Sequence, residues 1–436
     1  MILKRLIAIS VVFALVAGTA FAADVSGGVI GTVNFLEGSS AKDANDNTYP
    51  IGASAGFQRL RLEGSGENDD GTFGAWLRVE GFTAGAITQG DVTGHSWEGE
   101  VMNLFKGYGH AWWKPIDMFK LGIGGNPDGF YGKEGVTGWM FYQTASDTGV
   151  VNPGNVWGGS YLRGDSLVFR NAFYGGFGDN ALHLTISPTE MVDINIAVPF
   201  WSGIPYDVDD NPEGSAASIF KRTVAQVDLK LDFGNIALTY TGDENKYTFG
   251  TKPSPGTIFA YFGLTSIENL GVDVGIGFPL PLTDKDSIPD HKATIVTPIA
   301  AGFGVKFDTG SFGIKVRLVA SFAGSSKVDY DGDAGKADPV PFTLLADILP
   351  FFAVNDTLRI FFSAGLGIIG EDKNSNGDTT ADSVMGFHID PYVEVGSEWG
   401  PKFLAGFRLD NSGGKPNKDA DAVVNWSVPL ALHIGF

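Results

Sequence analysis

Asp372, Asn374, Asn376, Gly377 and Asp378 set oxygen donors at alternate positions around a glycine, the first half of a calcium-loop pattern. Such a loop would hold a hard cation through side-chain oxygens. Its twelfth position is Ser383, where the pattern needs a bidentate Glu. Asp329, Asp331 and Asp333 form a similar fragment. Solvated acidic loops explain both, and no metal or other cofactor is expected. The six histidines, His95, His110, His183, His291, His388 and His433, include no HExxH-type pair. His388, Asp390 and Glu394 share one face of a period-two run, but a polar wall predicts the same set. Gly122, Gly124 and Gly125 lack the strand–helix context of a nucleotide fingerprint, and there is no Walker A pattern. Cysteine is absent, which removes disulfides, thiolate ligands and thiol catalysis together. No nucleophile, base and orienting group converge in the spacing, so no enzymatic activity is expected.

The elements that would position these residues follow from composition and periodicity. The chain has 436 residues, with 30 Lys and Arg against 50 Asp and Glu, a formal charge of −20. So acidic a protein has no general affinity for nucleic acid, which needs clustered Lys and Arg. Aromatics at 12% exclude intrinsic disorder. Sixty-one glycines without a G-X-Y repeat exclude collagen.

Lys4 and Arg5 precede the apolar run Leu6 to Val16, and small residues follow up to Ala20, Phe21 and Ala22. This is the pattern of a cleaved secretory signal over residues 1–22, leaving a domain at 23–436. Removing Lys4 and Arg5 leaves 28 basic residues against the 50 acidic ones, a charge of −22. No later stretch approaches 18 uninterrupted apolar residues, so no membrane helix is expected.

The dominant period is two, over runs of about ten residues, each followed by a turn signal. Ala225, Val227, Leu229, Leu231 and Phe233 alternate with Gln226, Asp228, Lys230 and Asp232; Phe312, Ile314, Val316, Leu318 and Ala320 alternate with Lys315, Arg317 and Ser321. Soluble sandwiches also alternate, but their strands are usually about five or six residues, whereas tilted bilayer-spanning strands need about nine to eleven. Eighteen such runs can be placed between residues 25 and 436, with connections alternately long and short. The expectation is an all-β protein: one closed antiparallel transmembrane barrel of about 16–18 strands with short periplasmic turns and long outer loops. In hydrocarbon only helices and closed barrels satisfy the backbone, so the apolar faces look outward and the polar faces inward. A lumen at this strand number is too wide for side chains to fill, and water enters.

The last run ends Trp426, Val428, Leu430, Leu432, Ile434 and Phe436, apolar or aromatic at every second position. Here the sequence resembles bacterial outer-membrane porin-like proteins. That resemblance implies an outer-membrane location, contact with outer-membrane lipid, and a final strand read by the barrel-assembly machinery through Trp426, Leu432, Ile434 and Phe436. It also implies a homotrimer. Gly109 to Asp117 and Asn126 to Gly132 resemble segments of spirochaete outer-membrane proteins. Trp113, Phe200, Trp201 and Trp399, beside turns, suit an interfacial girdle.

The inward set holds ten basic residues (Arg59, Arg61, Arg78, Lys106, Lys230, Lys306, Lys315, Arg317, Arg359, Arg408) and ten acidic ones (Glu63, Glu80, Asp228, Asp232, Asp273, Asp308, Asp347, Asp390, Glu394, Asp410). The wall is close to neutral, and the excess charge sits in loops, so the acidic mouth favours cations. Cross-strand ion pairing explains the same wall charges. The longest connection, 126–179, follows the fifth strand, where the loop of general porins narrows the lumen. The resemblance implies that role for Asp128, Lys133, Glu134, Asp147, Arg163, Asp165 and Arg170. A cap outside the barrel, or a further hairpin, would also account for this loop. The resulting function is passive diffusion of small hydrophilic solutes with mild selectivity. A surface adhesin without an open channel is the alternative, as is a saccharide-preferring pore, since aromatic rings in the loop can stack on sugars.

Overall fold

Residues that alternate between apolar and polar side chains form strands with two unlike faces, and a row of such strands closes when its ends pair. The computed structural model describes residues 22–40, 52–83, 105–125, 131, 181–199, 223–242, 257–279, 299–322, 326–327, 338–339, 342–373, 379–381, 383–396, 401–411 and 424–435. The long strands are β1 (Ala22–Ser39), β2 (Gly52–Glu67), β3 (Phe73–Thr83), β4 (Phe105–Ile116), β5 (Phe119–Gly124), β6 (Ala181–Thr189), β7 (Val192–Pro199), β8 (Val224–Leu231) and β9 (Gly234–Thr241). They continue with β10 (Thr257–Ile267), β11 (Leu270–Pro279), β12 (Ile299–Asp308), β13 (Phe312–Phe322), β14 (Thr343–Ala353), β15 (Leu358–Ile369) and β16 (Val384–Gly396). The last two are β17, made of Lys402–Gly406 and Arg408–Asp410 with an interruption at Phe407, and β18 (Asn425–Gly435).

Each strand pairs antiparallel with its sequence neighbours, and β18 pairs with β1 from Gly28 opposite Gly435 to Ser39 opposite Asn425. The sheet is therefore a closed barrel of eighteen strands, with no free edge. Eight connections are short and nine are long. Ala22 opposes Glu67, beside the short β2–β3 turn, so the described residues begin at the short-turn rim. Two small ribbons, Ser326–Lys327 with Asp338–Pro339 and Asp372–Lys373 with Thr379–Ala381, stand at the long-loop rim.

The short turns have local causes. In the β2–β3 turn the Thr72 hydroxyl and N–H donate to Asp70 at 2.6 and 3.0 Å, and the hydroxyl bond leads in holding the Asp70 carboxyl below its usual range. Asn269, at φ 62°, closes the β10–β11 turn in the left-handed region that Asn tolerates. Gly234 follows the two-residue β8–β9 turn at φ 151°, and a Cβ there would stand 1.8 Å from the Gly263 carbonyl oxygen.

The faces separate as the alternation requires. On β9, Leu238 is 55% exposed between Ala237 at 2% and Thr239 at 1%. Val227, Phe303, Leu318, Phe362, Phe403 and Leu432 likewise form part of an outer belt of exposed apolar side chains. Inward stand Gln226, Asp228, Asp273, Arg317, Asp347, His388 and Asp390, all buried. The inner face is less uniformly polar than the sequence suggests. Val319 faces Leu345 across β13 and β14, and both are fully buried on the inner side. The sequence of β14 is apolar on both faces, so its parity carries no signal except at Asp347.

The signal-peptide expectation falls on residues outside the described ones, apart from Ala22. So do Asp128, Lys133, Glu134, Asp147, Arg163, Asp165 and Arg170, the loop 329–333, Asn374 to Asp378, and Phe436. Phe200, Trp201 and Trp399 lie there too, while Trp113 is exposed and stacks on Phe73 with ring centres 6.0 Å apart.

Candidate functional site

Strand register brings the inward charges of the wall into pairs. Arg61 lies opposite Glu80, and Glu63 opposite Arg78, so unlike charges face each other across β2 and β3. Arg61 Nε donates to Glu80 at 2.8 Å, and Arg78 Nε to Glu63 at 2.7 Å. Arg78 also lies 5.0 Å from the centre of the Trp76 ring, a cation–π contact.

A second line of partners runs around the barrel, in register from Asp273 on β11 through Gly304, Arg317, Asp347, Gly365 and His388 to Asp410 on β17. Glycines separate the charged residues at two places, and side chains reach across them. Arg317 Nη2 lies 3.5 Å from Asp273 Oδ2 across Gly304, with both side chains at 0% exposure. His388 Nε2 lies 3.6 Å from Asp347 and 3.8 Å from Asp390, with Ser363 Oγ at 3.4 Å. Arg408 Nε donates to Asp410 at 2.6 Å and stands 3.8 Å from Asp390. A Cβ on Gly365 would stand 2.4 Å from the His388 ring. Gly365→Ala should therefore push the imidazole off Asp347 and cost about 1–3 kcal/mol, as overpacking does; urea midpoints of the folded barrel in micelles measure it.

Nearer the short-turn rim, Lys230 pairs with Asp193 at 2.5 Å, and Asn235 donates to Asp228 at 2.6 Å. Glu394 lies between Arg359 at 4.0 Å and Lys402 at 3.7 Å. Lys315 is half-buried on the inner face of β13. Asp232 departs from the expected wall set: it lies in the β8–β9 turn and is exposed, because the strand ends at Leu231. The side chains of Arg59 and Lys106 lie outside the described residues. The pairing alternative therefore accounts for much of the described wall.

One residue of loop 126–179 is described, and it lies on the inner wall. Tyr131 packs against Ala181, Ala197, Val224 and Phe259, inward residues of β6, β7, β8 and β10. Its hydroxyl is 3.1 Å from His183 Nδ1, and His183 Nε2 is 3.1 Å from the Gly124 carbonyl. With Nε2–H donating to that carbonyl, Nδ1 accepts from the tyrosine. The Tyr131 carbonyl accepts from Gln226 Nε2 at 2.7 Å. Gln226 is held in turn by Thr239 at 2.9 Å and Asn195 at 3.3 Å. The socket holds a non-glycine residue at φ 64°, a conformation that costs on the order of 1 kcal/mol or more. The sequence marked Tyr131 only as one aromatic among many in its loop. Nothing in the spacing linked it to Gln226, 95 residues away.

No known protein family matches the chain, and no curated protein matches it. Solved structures of similar form include the anion-selective porin from Comamonas acidovorans, at 12% identity over 95% of this chain and 100% of that one, TM-score 0.46. OmpF of Salmonella typhi, solved with daunomycin, matches at 10% identity over 95% and 97%, TM-score 0.49. The trimer form of OmpT, an outer membrane protein of Vibrio cholerae, matches at 12% identity over 95% and 99%, TM-score 0.43.

Proposed function

We propose that the chain forms an outer-membrane channel for passive diffusion of small hydrophilic solutes. One observation carries this reading: a closed eighteen-strand barrel exposes apolar rows outward and turns ion pairs inward. An exposed apolar belt this long needs a covering of hydrocarbon, and a barrel satisfies its backbone there. Residues 1–22 would direct export, and Leu432 and Ile434, exposed on β18, would belong to the assembly signal with Trp426 and Phe436. The reading extends to a spirochaete lineage and a homotrimer on the strength of the sequence resemblance.

Loop 126–179 is proposed to narrow the lumen, with Asp128, Lys133, Glu134, Asp147, Arg163, Asp165 and Arg170 near the constriction. The position of Tyr131 supports this, since a loop capping the barrel from outside has no reason to seat a residue on inner-wall Gln226. Paired wall charges predict mild selectivity, and acidic outer loops favour cations at the mouth. The reading assigns the chain no reaction.

Reconstitution in planar bilayers tests it: stepwise conductance is expected, and a folded barrel that never conducts would support a sealed adhesin scaffold instead. Gln226→Leu leaves the Tyr131 carbonyl without its donor, at a cost of about 1–3 kcal/mol. Open-channel flicker and a higher mean conductance are expected; traces matching the parent would count against the seated loop.

A further inference from the structure

Strands β4, β5 and β6 differ from the rest of the wall in charge. Their sequences hold Lys106, Lys114, Lys120, His110 and His183 and contain no Asp or Glu, in a chain with 50 acidic and 30 basic residues. Elsewhere a wall cation meets a carboxylate, as Arg61 meets Glu80, Arg317 meets Asp273 and Arg408 meets Asp410. Lys120 is half-buried on the inner face of β5. Among the described residues it has no carboxylate within ion-pair distance; its Nζ lies 4.8 Å from the centre of the Trp112 ring.

The rings beside it lie flat because glycines on the neighbouring strands make room. A Cβ on Gly74 of β3 would stand 1.9 Å from an indole carbon of Trp112, and one on Gly122 of β5 would stand 2.6 Å from His110 Nε2. The His110 and Trp112 rings are 23° from parallel with centres 5.7 Å apart. His110 meets His183 edge-on at 5.4 Å, and Tyr131 ends the row 5.9 Å from His183. The inner wall thus carries a shelf of rings with an ammonium at one end.

We propose that this shelf is a binding subsite for small aromatic carboxylates. It rests on the reading that the lumen is open to solutes. A carboxylate gives Lys120 a charged partner at contact distance, where among the described residues Glu67 acts on it only from further off, and charge-assisted contact is stronger than contact with a ring face. The flat body then lies along Trp112 and His110, where stacking is favourable. Acetate satisfies only the ammonium and a neutral arene only the rings. A sugar would bring Lys120 no charged contact, so the shelf favours the anion.

Calorimetric titration of the folded chain in detergent micelles with benzoate and with acetate tests this, while the same preparation is assayed for potassium chloride conductance. Benzoate is expected to bind at least about 5-fold tighter than acetate, Lys120→Gln to weaken benzoate by at least about 5-fold, and Lys120→Arg to restore it, since the pair is charge-assisted. Benzoate that binds no better than acetate, or that ignores Lys120→Gln, in a barrel that conducts would overturn the subsite and leave the channel standing. A folded barrel that conducts nothing overturns the channel reading, and the subsite with it.

Discussion

Replacing Arg317 with Met lowers the stability of the folded barrel by about 3–5 kcal/mol, the cost of leaving a buried charge without its partner. Arg317 and Asp273 are both fully buried, and Arg317 faces Asp347 in register on the next strand. Removing the guanidinium withdraws the positive charge beside two carboxylates that are themselves buried from solvent. The net worth of the intact pair is much smaller, because burying both ions costs nearly what their attraction returns. The double variant Asp273→Asn with Arg317→Met should therefore recover most of the loss. Urea titration of the folded barrel in micelles, followed by its β-sheet circular dichroism, gives both numbers. A single variant as stable as the parent would mean that the wall at β13 is wet.

Leu238→Arg is the second large effect, and it acts on the opposite face. Leu238 is 55% exposed, between two residues buried on the inner side. In water an exposed arginine costs almost nothing. In the middle of a bilayer, arginine on the lipid face of a barrel costs about 2–4 kcal/mol, falling toward zero near the interfaces. Folding into lipid vesicles should fall accordingly, while the same change in a soluble β protein would leave stability within about 0.5 kcal/mol. Equal folding of Leu238→Arg and the parent would remove the lipid from the outer face.

How much of this was legible in the sequence depended on whether a segment had one polar face. Strands such as β8, with Gln226, Asp228 and Lys230 on one parity, declared both their existence and their orientation. So did β16, with His388, Asp390, Tyr392 and Glu394. The strand β14 declared only its existence, because Leu345 and Leu349 are apolar on the inner face too. Strand ends were softer: β2 runs on through Gly64 and Gly66 to Glu67, and β14 through Phe351 and Phe352 to Ala353, because cross-strand partners continue there. The charged line from Asp273 to Asp410 could not be read at all, since it depends on the register of seven strands. The Tyr131 socket is a contact across many strands and has no sequence period. Asp232 was misplaced by one step, where alternation ran past the end of its strand.

The absence of cysteine makes the central claim directly measurable, because single cysteines can be introduced anywhere without a background. Spin labels at positions 224 to 230 on β8 and 235 to 241 on β9, in lipid vesicles, should alternate residue by residue. Labels at 227 and 238 should meet oxygen dissolved in the acyl chains, and labels at 230 and 235, on the inward parity outside the Tyr131 socket, should meet a water-soluble relaxation agent. Labels at 227 and 238 that are shielded from lipid-dissolved oxygen, or that meet the water-soluble agent as readily as their neighbours, would contradict the account.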